Sequence, residues 1–589
     1  MNLITLLKQT ASSSLTSLYQ FKIQPEDVLV NATKPEFKGD YTIVLFAFVK
    51  KLGKNPELVG NELGNSMLKA LPGIITEFNI VKGFLNFTIS DLYWIEFIKN
   101  LSAEKLVPPV SDRKKIMVEY SSPNTNKPLH LGHLRNNFLG WSIAEILKLQ
   151  GHEVIKTCIV NDRGIHICKS MIAWQLYADG ATPASTHKKG DHFVGDYYVK
   201  YNEMFKKEVE QLVASGMSQE LAEKEAPILK AASQMLLKWE QGDKATLDLW
   251  KKMNQWVYEG FEVTYQKIGS DFFKTYYESD TYLLGKELVE EGLHKKVFYQ
   301  KEDGSVWIDL TSDGLDEKIV RRKDGTSVYI TQDIGLAQLK QKEFKTEASI
   351  YVVGDEQNYH FKVLKLICQK LKQEAADGIY HLSYGMVELP SGKMKSREGT
   401  VVDADDLVDE MINISKEKTK ALGKVSDFND EQLNTLYNTI GLGALKFFLL
   451  RVDPKKKMIF NPEESIDFHG FTGPFIQYTH ARIKSILRKT GTDVNITENE
   501  LLPLEKQLAM ELYGFSSVVY EAAENLDPSK IAIYAFNLAK LFNTFYAEHS
   551  ISNAASATKK QLRIQLGILT AATLQKAMSA LGIAVPEQM

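Results

Sequence analysis

The stretch that decides the fold of this 589-residue chain is residues 116–160, IMVEYSSPNTNKPLHLGHLRNNFLGWSIAEILKLQGHEVIKTCIV. Its first five residues are an apolar run typical of a buried strand, and the Pro/Asn-rich segment that follows is typical of a loop. A helix is predicted next, because apolar side chains recur at i, i+4, i+7 and i+8: Leu139, Ile143, Ile146 and Leu147. Gly151 stands at the expected helix end, and residues 153–160 favour a second strand. Strand, helix and strand in about 45 residues predict a βαβ unit with a parallel sheet and a right-handed crossover.

The same pattern returns at residues 348–389, where a strand, a helix and the strand IYHLSYGMVEL (379–389) are predicted in turn. A long charged and helical stretch, at about residues 190–268, separates the two halves. Two such halves predict a Rossmann-type parallel-sheet catalytic domain with a helical insertion.

The parts on either side of this domain differ in pattern. Residues 1–112 are mixed, and their alternating segment VKGFLNFTIS (81–90) is expected to be a strand, so we predict a small α+β N-terminal domain. Strand signals nearly vanish after about residue 427, which predicts a C-terminal α-helical bundle. The predicted fold class is therefore multidomain α/β plus all-α. Its expected parts are residues 1–112, 113–390, 391–455 (a loop and connecting helices) and 456–589.

Composition excludes several classes of protein. The chain is 44% hydrophobic and 25% charged, with a net charge of −3, so any nucleic-acid contact must come from local patches. Its longest apolar run, residues 43–49, is far shorter than the about 20 residues that span a bilayer. The N-terminus does not resemble a signal peptide. The three cysteines form no CxxC pair, which excludes a four-cysteine zinc module and favours a reducing, cytoplasmic location.

A first chemical signal is His130-Leu131-Gly132-His133, at the junction between the predicted strand and the predicted helix. A helix N-terminus has unpaired N–H groups and a partial positive charge, and it favours phosphate. Gly132 lets a nucleotide approach the backbone closely. Two imidazoles can donate hydrogen bonds to phosphate oxygens as charge builds in a transition state. The alternatives are a pair of surface or capping histidines, or a metal pair.

A second signal is GKMKSREGT (392–400), just beyond a strand of the second half. Two lysines and an arginine on a glycine-flanked loop suit a triphosphate. Exposed loops are often basic without a function, so this signal is weak alone. In this order, and about 260 residues apart on a split Rossmann domain, the two motifs resemble the HIGH and KMSKS signatures of class I aminoacyl-tRNA synthetases.

Further segments resemble one family in that class, the arginyl-tRNA synthetases. The matches are spread from about residue 35 to the last residue. The clearest segments are EYSSPNTNKPLHLGHLR (119–135), NDRG (161–164), YITQDIG (329–335), YVVGDEQNYH (351–360), GPFIQYTHAR (473–482) and LGIAVPEQM (581–589). The resemblance implies an ATP-dependent arginine–tRNA ligase. It also implies that arginine is activated only when tRNA is bound, and that the enzyme is a monomer.

The resemblance assigns the arginine side chain to Glu119, Tyr329 and Asp333, and the α-amino group to Ser122, Asn124 and Gln357. Physical chemistry agrees, because a guanidinium is planar and always charged, and it donates five hydrogen bonds to acceptors such as carboxylates. Such a pocket rejects substrates that lack the guanidinium by roughly 10⁴-fold or more, so no editing domain is expected. The alternatives are a surface carboxylate for Glu119 and a helix N-cap for Asp333.

The resemblance also assigns residues to ATP and to catalysis. The residues expected to bind ATP are Pro123, His130, Gly132, His133, Asn136, His360, Lys393, Met394, Lys395, Ser396 and Arg397. The residues expected to act in catalysis are His130, His133, Lys393 and Lys127. Mg²⁺ is expected to accompany ATP, held mostly by phosphates and water, and no protein-bound zinc is expected.

One position departs from the family pattern. In the preferred alignment Ser396 stands where the fourth residue of KMSKS is usually lysine, and Arg397 follows. The family compensates for such departures with a lysine just before the first motif, and Lys127 stands there. Lys395 is a second candidate, and the sequence leaves the choice between them open.

The C-terminal helices resemble the anticodon-binding domain of the family. Aromatic and basic groups interleave there, which suits phosphates and splayed bases. The residues expected to bind tRNA are Tyr478, Arg482, Lys484, Asn543, Tyr546 and Met589. The alternative is an ordinary solvated helix face. The N-terminal domain resembles the module of the family that contacts the tRNA elbow.

Three other functions fit parts of the pattern. A non-catalytic descendant could bind tRNA or arginine as a sensor, but intact His130, His133, Lys393 and Asp333 count against it. A small-molecule nucleotidylyltransferase would lack the helical RNA-binding part. A class I synthetase for an apolar or thiol amino acid would not need the paired acids.

Overall fold

The computed structural model describes residues 3–326, 328–374, 376–388, 390, 402–423 and 428–589. Contacts divide the chain into two compact units. The first contains Met1–Leu106, Ser485–Gly514 and Lys540–Thr573, and the second contains Val107–Lys484, Phe515–Ala539 and Leu574–Met589. No helix in the described part of the chain is both long and apolar enough to cross a membrane.

The N-terminal part of the first unit is an α+β layer. Its elements are α1 (Leu3–Tyr19), β1 (Val30–Ala32), β2 (Tyr41–Val44), α2 (Phe46–Leu52), α3 (Pro56–Ala70), β3 (Ile75–Val81), β4 (Phe84–Ile89) and α4 (Asp91–Asn100). The four strands form an antiparallel sheet in the order β1-β2-β4-β3. The single strand predicted at 81–90 is wrong at its start. Lys82 and Gly83, with φ of 50° and 82°, form the turn that joins β3 to β4, because a two-residue hairpin needs positive φ at both central positions.

The second unit is built around a parallel sheet. Its strands are β5 (Lys115–Glu119), β6 (Glu153–Val160), β7 (Lys274–Tyr277), β11 (Ala348–Gly354) and β12 (Ile379–Tyr384). They lie in the order β12-β11-β5-β6-β7, and every neighbouring pair is parallel. The predicted Rossmann-type sheet is thereby confirmed.

Helix α5 (Leu131–Leu149) connects β5 to β6 and completes the predicted βαβ unit. Gly140 lies where this helix crosses the end of β5. A Cβ added there would lie 2.4 Å from the side chain of Tyr120, so only glycine allows the helix to approach the sheet this closely. Gly151, with φ of 92°, follows the helix where the sequence predicts its end.

The segment between β6 and β7 is helical, as the charged stretch predicts. It contains α6 (Ile165–Tyr177), α7 (Pro183–Thr186), α8 (Gly190–Ala214), α9 (Gln219–Glu225), α10 (Pro227–Glu240) and α11 (Lys244–Ile268). Between β7 and β11 lie α12 (Glu278–Thr281), α13 (Lys286–His294), β8 (Tyr299–Gln300), β9 (Val306–Ile308), β10 (Lys318–Arg321) and α14 (Tyr329–Phe344). Strands β8 to β10 form a small antiparallel sheet that the sequence analysis did not predict.

Helix α15 (Asn358–Lys370) joins β11 to β12, as predicted, but the strand predicted at 379–389 is wrong in its second half. β12 ends at Tyr384, and β13 (Val387–Glu388) pairs with β14 (Met458–Ile459) instead of the main sheet. The break follows from packing at Gly385, where an added Cβ would lie 2.7 Å from the backbone of Lys456.

The remaining elements are helical. They are α16 (Ala404–Leu422), α17 (Asp430–Leu450), α18 (Pro462–Ser465), α19 (Gly473–Thr490), α20 (Pro503–Asn525), α21 (Ser529–Glu548) and α22 (Ala557–Ala580). The predicted C-terminal α-helical domain is therefore present.

Candidate active site

The candidate site lies at the C-terminal ends of the strands of the five-stranded parallel sheet. From β5 the chain moves to β6 and β7 on one side, whereas β11 and β12 lie on the other side. Connections that leave in opposite directions open a crevice between β5 and β11, and ligands of doubly wound sheets bind in this crevice. The segments that follow β5, β6, β7 and β11 therefore carry the side chains of interest.

The turn after β5 is strained. Ser121 and Ser122 have φ of 79° and 48°, a left-handed conformation that costs non-glycine residues of order 1–3 kcal/mol. The backbone N–H of Ser121 donates to Oδ1 of Asn136 at 2.5 Å, and its hydroxyl lies 2.7 Å from the hydroxyl of Tyr265. These contacts hold a turn that separates Glu119 from Asn124, two residues that the sequence assigns to arginine.

The side chain of Asn136, assigned to ATP by the sequence, is surrounded by protein groups. Besides accepting from Ser121, it donates to the carbonyl of Val352 at 2.7 Å and to the hydroxyl of Tyr384 at 3.2 Å. Asn136 is buried. One side chain thus connects α5 with the turn after β5 and with strands β11 and β12.

The loop continues beside the end of β6. The backbone N–H of Asn161 donates to the carbonyl of Pro123 at 2.9 Å, and that of Thr125 donates to the carbonyl of Asn161 at 3.1 Å. Pro123 is buried, whereas Asn124 is exposed. The loop is therefore fixed by backbone bonds at the sheet edge while Asn124 stays accessible.

The two histidines of the first motif cap helix α5. The N–H of Gly132 donates to Nδ1 of His130 at 3.1 Å, and the N–H of His130 donates to Nδ1 of His133 at 3.2 Å. A neutral imidazole whose Nδ1 accepts a hydrogen bond carries its proton on Nε2. Both rings therefore present an Nε2–H donor, and their centroids lie 3.9 Å apart.

Both imidazoles are neutral at ordinary pH. Burial, together with the positive charge of Lys127, lowers the pKa of His130 to about 3. Burial, chiefly, with the neighbouring His130 and Lys127 opposing a further positive charge, lowers the pKa of His133 well below its usual value. Both histidines at this helix N-terminus are therefore neutral hydrogen-bond donors. Backbone N–H groups that donate to Nδ1 keep the proton of each ring on Nε2.

Gly132 is needed for this arrangement. A Cβ at this position would lie 3.0 Å from Cε1 and 3.1 Å from Nδ1 of His130. A side chain here would therefore displace the ring that caps the helix. This reason for glycine differs from the close approach of a nucleotide, which the sequence alone suggested.

Residues 402–404 pair with the first motif. The N–H of Leu131 donates to the carbonyl of Val402 at 3.2 Å, and the N–H of Ala404 donates to the carbonyl of Leu129 at 3.0 Å. The five residues that the sequence assigns to the phosphates from the second motif, Lys393, Met394, Lys395, Ser396 and Arg397, lie outside the described residues. Residues 402–404, which follow the second motif in the chain, therefore lie beside His130.

Helix α14 brings two predicted arginine ligands to the site. Tyr329 and Asp333 are one turn apart at its N-terminus, and Tyr329 is 74% exposed. Oδ2 of Asp333 lies 2.6 Å from Nε2 of His360, the residue that the sequence assigns to adenosine. Gln357, which ends a short turn after β11, is exposed. The structure thus joins Asp333 directly to His360.

Glu119, the last residue of β5, is buried in an ion pair with Lys340 of α14. Thr157, its neighbour across the sheet on β6, also donates to Oε2 of Glu119 at 3.3 Å. Glu119 is therefore an interior carboxylate at the sheet edge, not the surface carboxylate that was its alternative.

Glu278 is a candidate site residue that none of the sequence motifs contains. This residue follows β7 directly and begins α12. Its carboxylate accepts no hydrogen bond from the residues that the structure describes, whereas its backbone carbonyl accepts from the N–H of Tyr282 at 2.8 Å. Burial raises its pKa to about 7, against the opposing effect of Arg163, and the charges of Asp162 and Asp333 add to the rise. Its position directly after a parallel strand is the feature of the sequence that could have identified it, because such positions face the ligand crevice.

The NDRG segment (161–164), which follows β6, holds the start of α12 and with it Glu278. Asp162 is buried and accepts from the N–H of Ser279 at 2.8 Å, from its hydroxyl at 2.7 Å and from the hydroxyl of Tyr258 at 2.8 Å. The guanidinium of Arg163 lies 4.1 Å from the ring centroid of Tyr282. These residues fix the start of α12 and do not themselves need to contact a substrate.

Comparisons with known proteins agree with this geometry. The family model of the class I (R) tRNA synthetase catalytic domain matches residues 97–461. The arginyl tRNA synthetase N terminal domain matches residues 3–89, and the DALR anticodon binding domain matches residues 476–589. The arginine–tRNA ligases of Amoebophilus asiaticus and Flavobacterium psychrophilum are each 50% identical to this chain, with 100% of both chains covered. The chain belongs to the arginyl-tRNA synthetase family.

A solved structure supports this membership. The arginyl-tRNA synthetase of Thermus thermophilus superposes with a TM-score of 0.81 at 25% identity, and 100% of both chains is covered. The Plasmodium falciparum enzyme has the same fold, with a TM-score of 0.78 at 18% identity. The resemblance of the sequence motifs to this family is therefore confirmed.

The residues expected to contact tRNA fall in both compact units. Tyr478, Arg482, Lys484 and Met589 belong to the second unit, and Asn543 and Tyr546 belong to the first. Four of them, Tyr478, Arg482, Lys484 and Tyr546, contact aromatic or charged groups. The guanidinium of Arg482 lies 4.9 Å from the ring centroid of Tyr478, and Lys484 pairs with Glu587 at 3.1 Å. The ring of Tyr546 stacks on Phe542 with their centroids 6.3 Å apart.

One group of side chains has the composition of a metal site. Asp191, His192 and Asp405 each bring a possible ligand atom within 4.8 Å of the others. The ammonium of Lys189 lies among them and donates to Asp191 at 3.0 Å and to Asp405 at 2.6 Å. The hydrogen bond to Asp405 raises the pKa of His192. A lysine already supplies positive charge to this group, so the donor set does not fit a metal ion.

Proposed function

We propose that this chain is an arginine–tRNA ligase. It activates L-arginine with ATP and then transfers arginine to the 3′-terminal adenosine of tRNA(Arg). The proposal rests on one observation: two different sites lie at the C-terminal ends of the strands of the parallel sheet. One is a helix N-terminus with two neutral imidazole donors, and the other is a set of three acidic side chains: Glu119, Glu278 and Asp333.

The helix N-terminus suits the phosphates of ATP. Its dipole favours negative charge. The N–H groups of Leu131 and Gly132 already donate to Val402 and to His130, so the imidazoles are the donors that can reach a phosphate. The Nε2–H groups of His130 and His133 suit the charge that builds on the α-phosphate, because preorganised donors stabilise a transition state without reorganising. We assign Gly132 and Pro123 to the nucleotide beside them. Lys393, with Met394, Lys395, Ser396 and Arg397, is proposed to hold the pyrophosphate end.

The lysine that compensates for Ser396 is proposed to be Lys127. Its charge lowers the pKa of both His130 and His133, so it acts on the same phosphate-binding end of the site. Lys395 remains the other candidate.

The acidic side chains suit arginine. A guanidinium donates five hydrogen bonds from a rigid plane, and several carboxylates with a tyrosine hydroxyl provide matching acceptors. We propose that Glu119, Glu278, Asp333 and Tyr329 hold the guanidinium. Ser122, Asn124 and Gln357 are proposed to hold the α-amino group. His360 is proposed to contact the adenosine, so its hydrogen bond to Asp333 links the two substrate pockets.

In the first step an oxygen of the arginine carboxylate attacks the α-phosphorus in line. The bond to the bridging oxygen breaks, and pyrophosphate leaves. In the second step a hydroxyl of the terminal tRNA adenosine attacks the adenylate carbonyl, and AMP leaves. The protein contributes positioning and charge stabilisation. Mg²⁺ is proposed to enter with ATP, held by phosphates and water, with no resident zinc.

The helical C-terminal part is proposed to bind the anticodon end of tRNA(Arg). Tyr478, Arg482 and Lys484 combine an aromatic ring with two cations, which suits bases stacked beside phosphates. Asn543, Tyr546 and Met589 are also proposed to bind tRNA(Arg). The N-terminal domain, residues 1–112, is proposed to contact the tRNA elbow. We propose that the enzyme acts as a monomer in the cytoplasm, where its three buried thiols stay reduced.

Pyrophosphate exchange tests the proposal. Purified protein, ATP–Mg²⁺ and arginine are incubated with and without total tRNA, and lysine replaces arginine in the control. Exchange that requires both arginine and tRNA is expected. Absence of exchange from a folded protein with cognate tRNA would contradict the proposed activity and favour a binding protein.

A further inference from the structure

Lys340 and Glu119 form an ion pair that is almost completely removed from water. The side chain of Lys340 is 3% exposed and that of Glu119 is 7% exposed. Glu119 ends β5, and Lys340 lies on α14, so the pair joins the centre of the sheet to the helix that carries Tyr329 and Asp333. Breaking such a pair on one side is strongly unfavourable, because a buried charge is left without a partner.

Aromatic rings surround the ammonium. Its Nζ lies 5.2 Å from the ring centroid of Tyr276 and 5.4 Å from that of Tyr351. Tyr351 is the neighbour of Glu119 on β11, and Thr157 is its neighbour on β6. Rings at this distance favour a cation electrostatically. The ammonium therefore has a defined place between α14 and the sheet.

The two oxygens of Glu119 differ in their partners. Lys340 and Thr157 both donate to Oε2. No donor among the described residues bonds to Oε1, although a carboxylate can accept about four hydrogen bonds over its two oxygens. The protein thus holds one oxygen of this carboxylate and leaves the acceptor capacity of the other unused.

Asp333 and Lys340 share one face of α14. They are seven residues apart, which is close to two helical turns and about 10.5 Å along the axis. Helix α14 therefore carries Asp333, which is proposed to bind the guanidinium. It also carries Lys340, which holds Glu119, a second acid proposed to bind the guanidinium. Any change in the position of α14 moves both groups together.

We propose that Lys340 is a positioning residue for arginine selection, which holds Oε2 of Glu119 so that Oε1 is presented to the substrate guanidinium. This inference rests on the proposed function and extends it to a residue that does not contact the substrate. Lys340 also balances the charge of Glu119 inside the protein.

The experiment compares five variants with wild type in aminoacylation of tRNA(Arg). Lys340→Met removes the charge and keeps the length of the side chain, and Lys340→Arg keeps the charge. Glu119→Gln and the double variant Glu119→Gln/Lys340→Met close a mutant cycle. Lys342→Met, on the same helix but exposed, is the matched control. The KM values for arginine and ATP, kcat and the melting temperature are measured for each.

We expect Lys340→Met to raise the KM for arginine at least tenfold, with a smaller change in the KM for ATP and in kcat. Lys340→Arg should recover most of this loss, and Lys342→Met should behave as wild type. Because Lys340 acts through Glu119, the double variant should have the same KM for arginine as Glu119→Gln alone. It should also melt above Lys340→Met, since it contains no unpaired buried charge.

The contrary outcomes are distinct. Equal losses for arginine and ATP, or a double variant with the two single effects multiplied, would assign Lys340 a general structural role and overturn the inference. A wild-type KM for arginine in Lys340→Met would also overturn it. Failure of the wild-type protein to charge tRNA with arginine would instead contradict the proposed function itself.

Discussion

The ammonium of Lys189 lies 2.6 Å from Oδ2 of Asp405, although 216 residues separate the two in the chain. Lys189 directly precedes α8, at the start of the helical insertion, and Asp405 lies in the first turn of α16. Residues 402–404, just before Asp405, pair with residues 129–131 of the first motif. The insertion therefore stabilises the backbone beside His130 through one partly buried lysine.

Replacing Lys189 with Met should weaken ATP binding. The change leaves Asp191 and Asp405 close together without their shared cation, so the segment at 402–404 should shift. We expect the KM for ATP to rise about tenfold, equivalent to about 1.4 kcal/mol, with a smaller change for arginine. Steady-state kinetics at varied ATP measure this.

Lys188→Met is the matched control for that experiment. Lys188 pairs with Asp196 on the surface, where the two side chains are 54% and 56% exposed. Exposed pairs of this kind contribute little. If both lysine variants had the same KM for ATP, the link from Lys189 to the active site would be refuted.

Arginine binding should depend on pH through Glu278. Its pKa in the free enzyme is about 7, raised chiefly by burial, and a guanidinium needs the ionised carboxylate. Below pH 7 the proton must be released before arginine binds, so affinity is lost as pH falls. We expect the KM for arginine to decrease about tenfold from pH 6 to pH 8, because the ionised fraction of a carboxyl group with this pKa rises about tenfold over that range.

Glu278→Gln should raise the KM for arginine and make it nearly independent of pH over this range. Asp280→Asn, on the same short helix and exposed, should keep the wild-type profile. A pH dependence that persists unchanged in Glu278→Gln would mean that another group titrates.

His130→Ala and His133→Ala should each lower kcat by about 10²–10³-fold, the usual cost of removing one preorganised donor. The KM for ATP should change much less, because the donors act mainly on charge that develops in the transition state. His294→Ala, an exposed histidine, is the control. Rapid-quench measurement of adenylate formation separates this step from transfer to tRNA.

Neither imidazole should contribute an inflection to kcat between pH 6 and pH 9. Burial and Lys127 lower the pKa of His130 to about 3, and that of His133 is also lowered well below its usual value. If an inflection near pH 6.5 disappeared in His130→Ala, this neutral state would be contradicted.

Asn136→Ala should affect arginine more than ATP. The side chain holds the strained Ser121 and also the carbonyl of Val352, and each buried group left without a partner costs about 1–3 kcal/mol. We expect a lower melting temperature and a raised KM for arginine. Asn136→Asp, which keeps the acceptor for Ser121, should lie between Ala and wild type. A larger effect on the KM for ATP would support the direct ATP contact that the sequence motif suggests.

Much of the fold could be predicted because its signals are local. Helical and strand periodicity located the βαβ unit at 116–160 and the helical insertion, and the fold class and the family membership are confirmed. One error lies where nonlocal packing overrides a local pattern, and another lies at a local turn. At Gly385 the backbone packs against Lys456 and ends β12, although the residues alternate as one strand. At Lys82-Gly83 a turn conformation interrupts an otherwise plausible strand.

By itself, the sequence determined the βαβ unit at 116–160 and the helical insertion, the helix N-terminus at His130 and the family to which the chain belongs. Only the tertiary structure decided which distant groups meet: Glu119 with Lys340, Asp333 with His360, and Lys189 with Asp405. It also brought Glu278 to the edge of the sheet. The reason is that periodicity records which face of an element is buried, whereas side-chain partners depend on the order of the strands. In the order β12-β11-β5-β6-β7, residues more than 200 positions apart become neighbours.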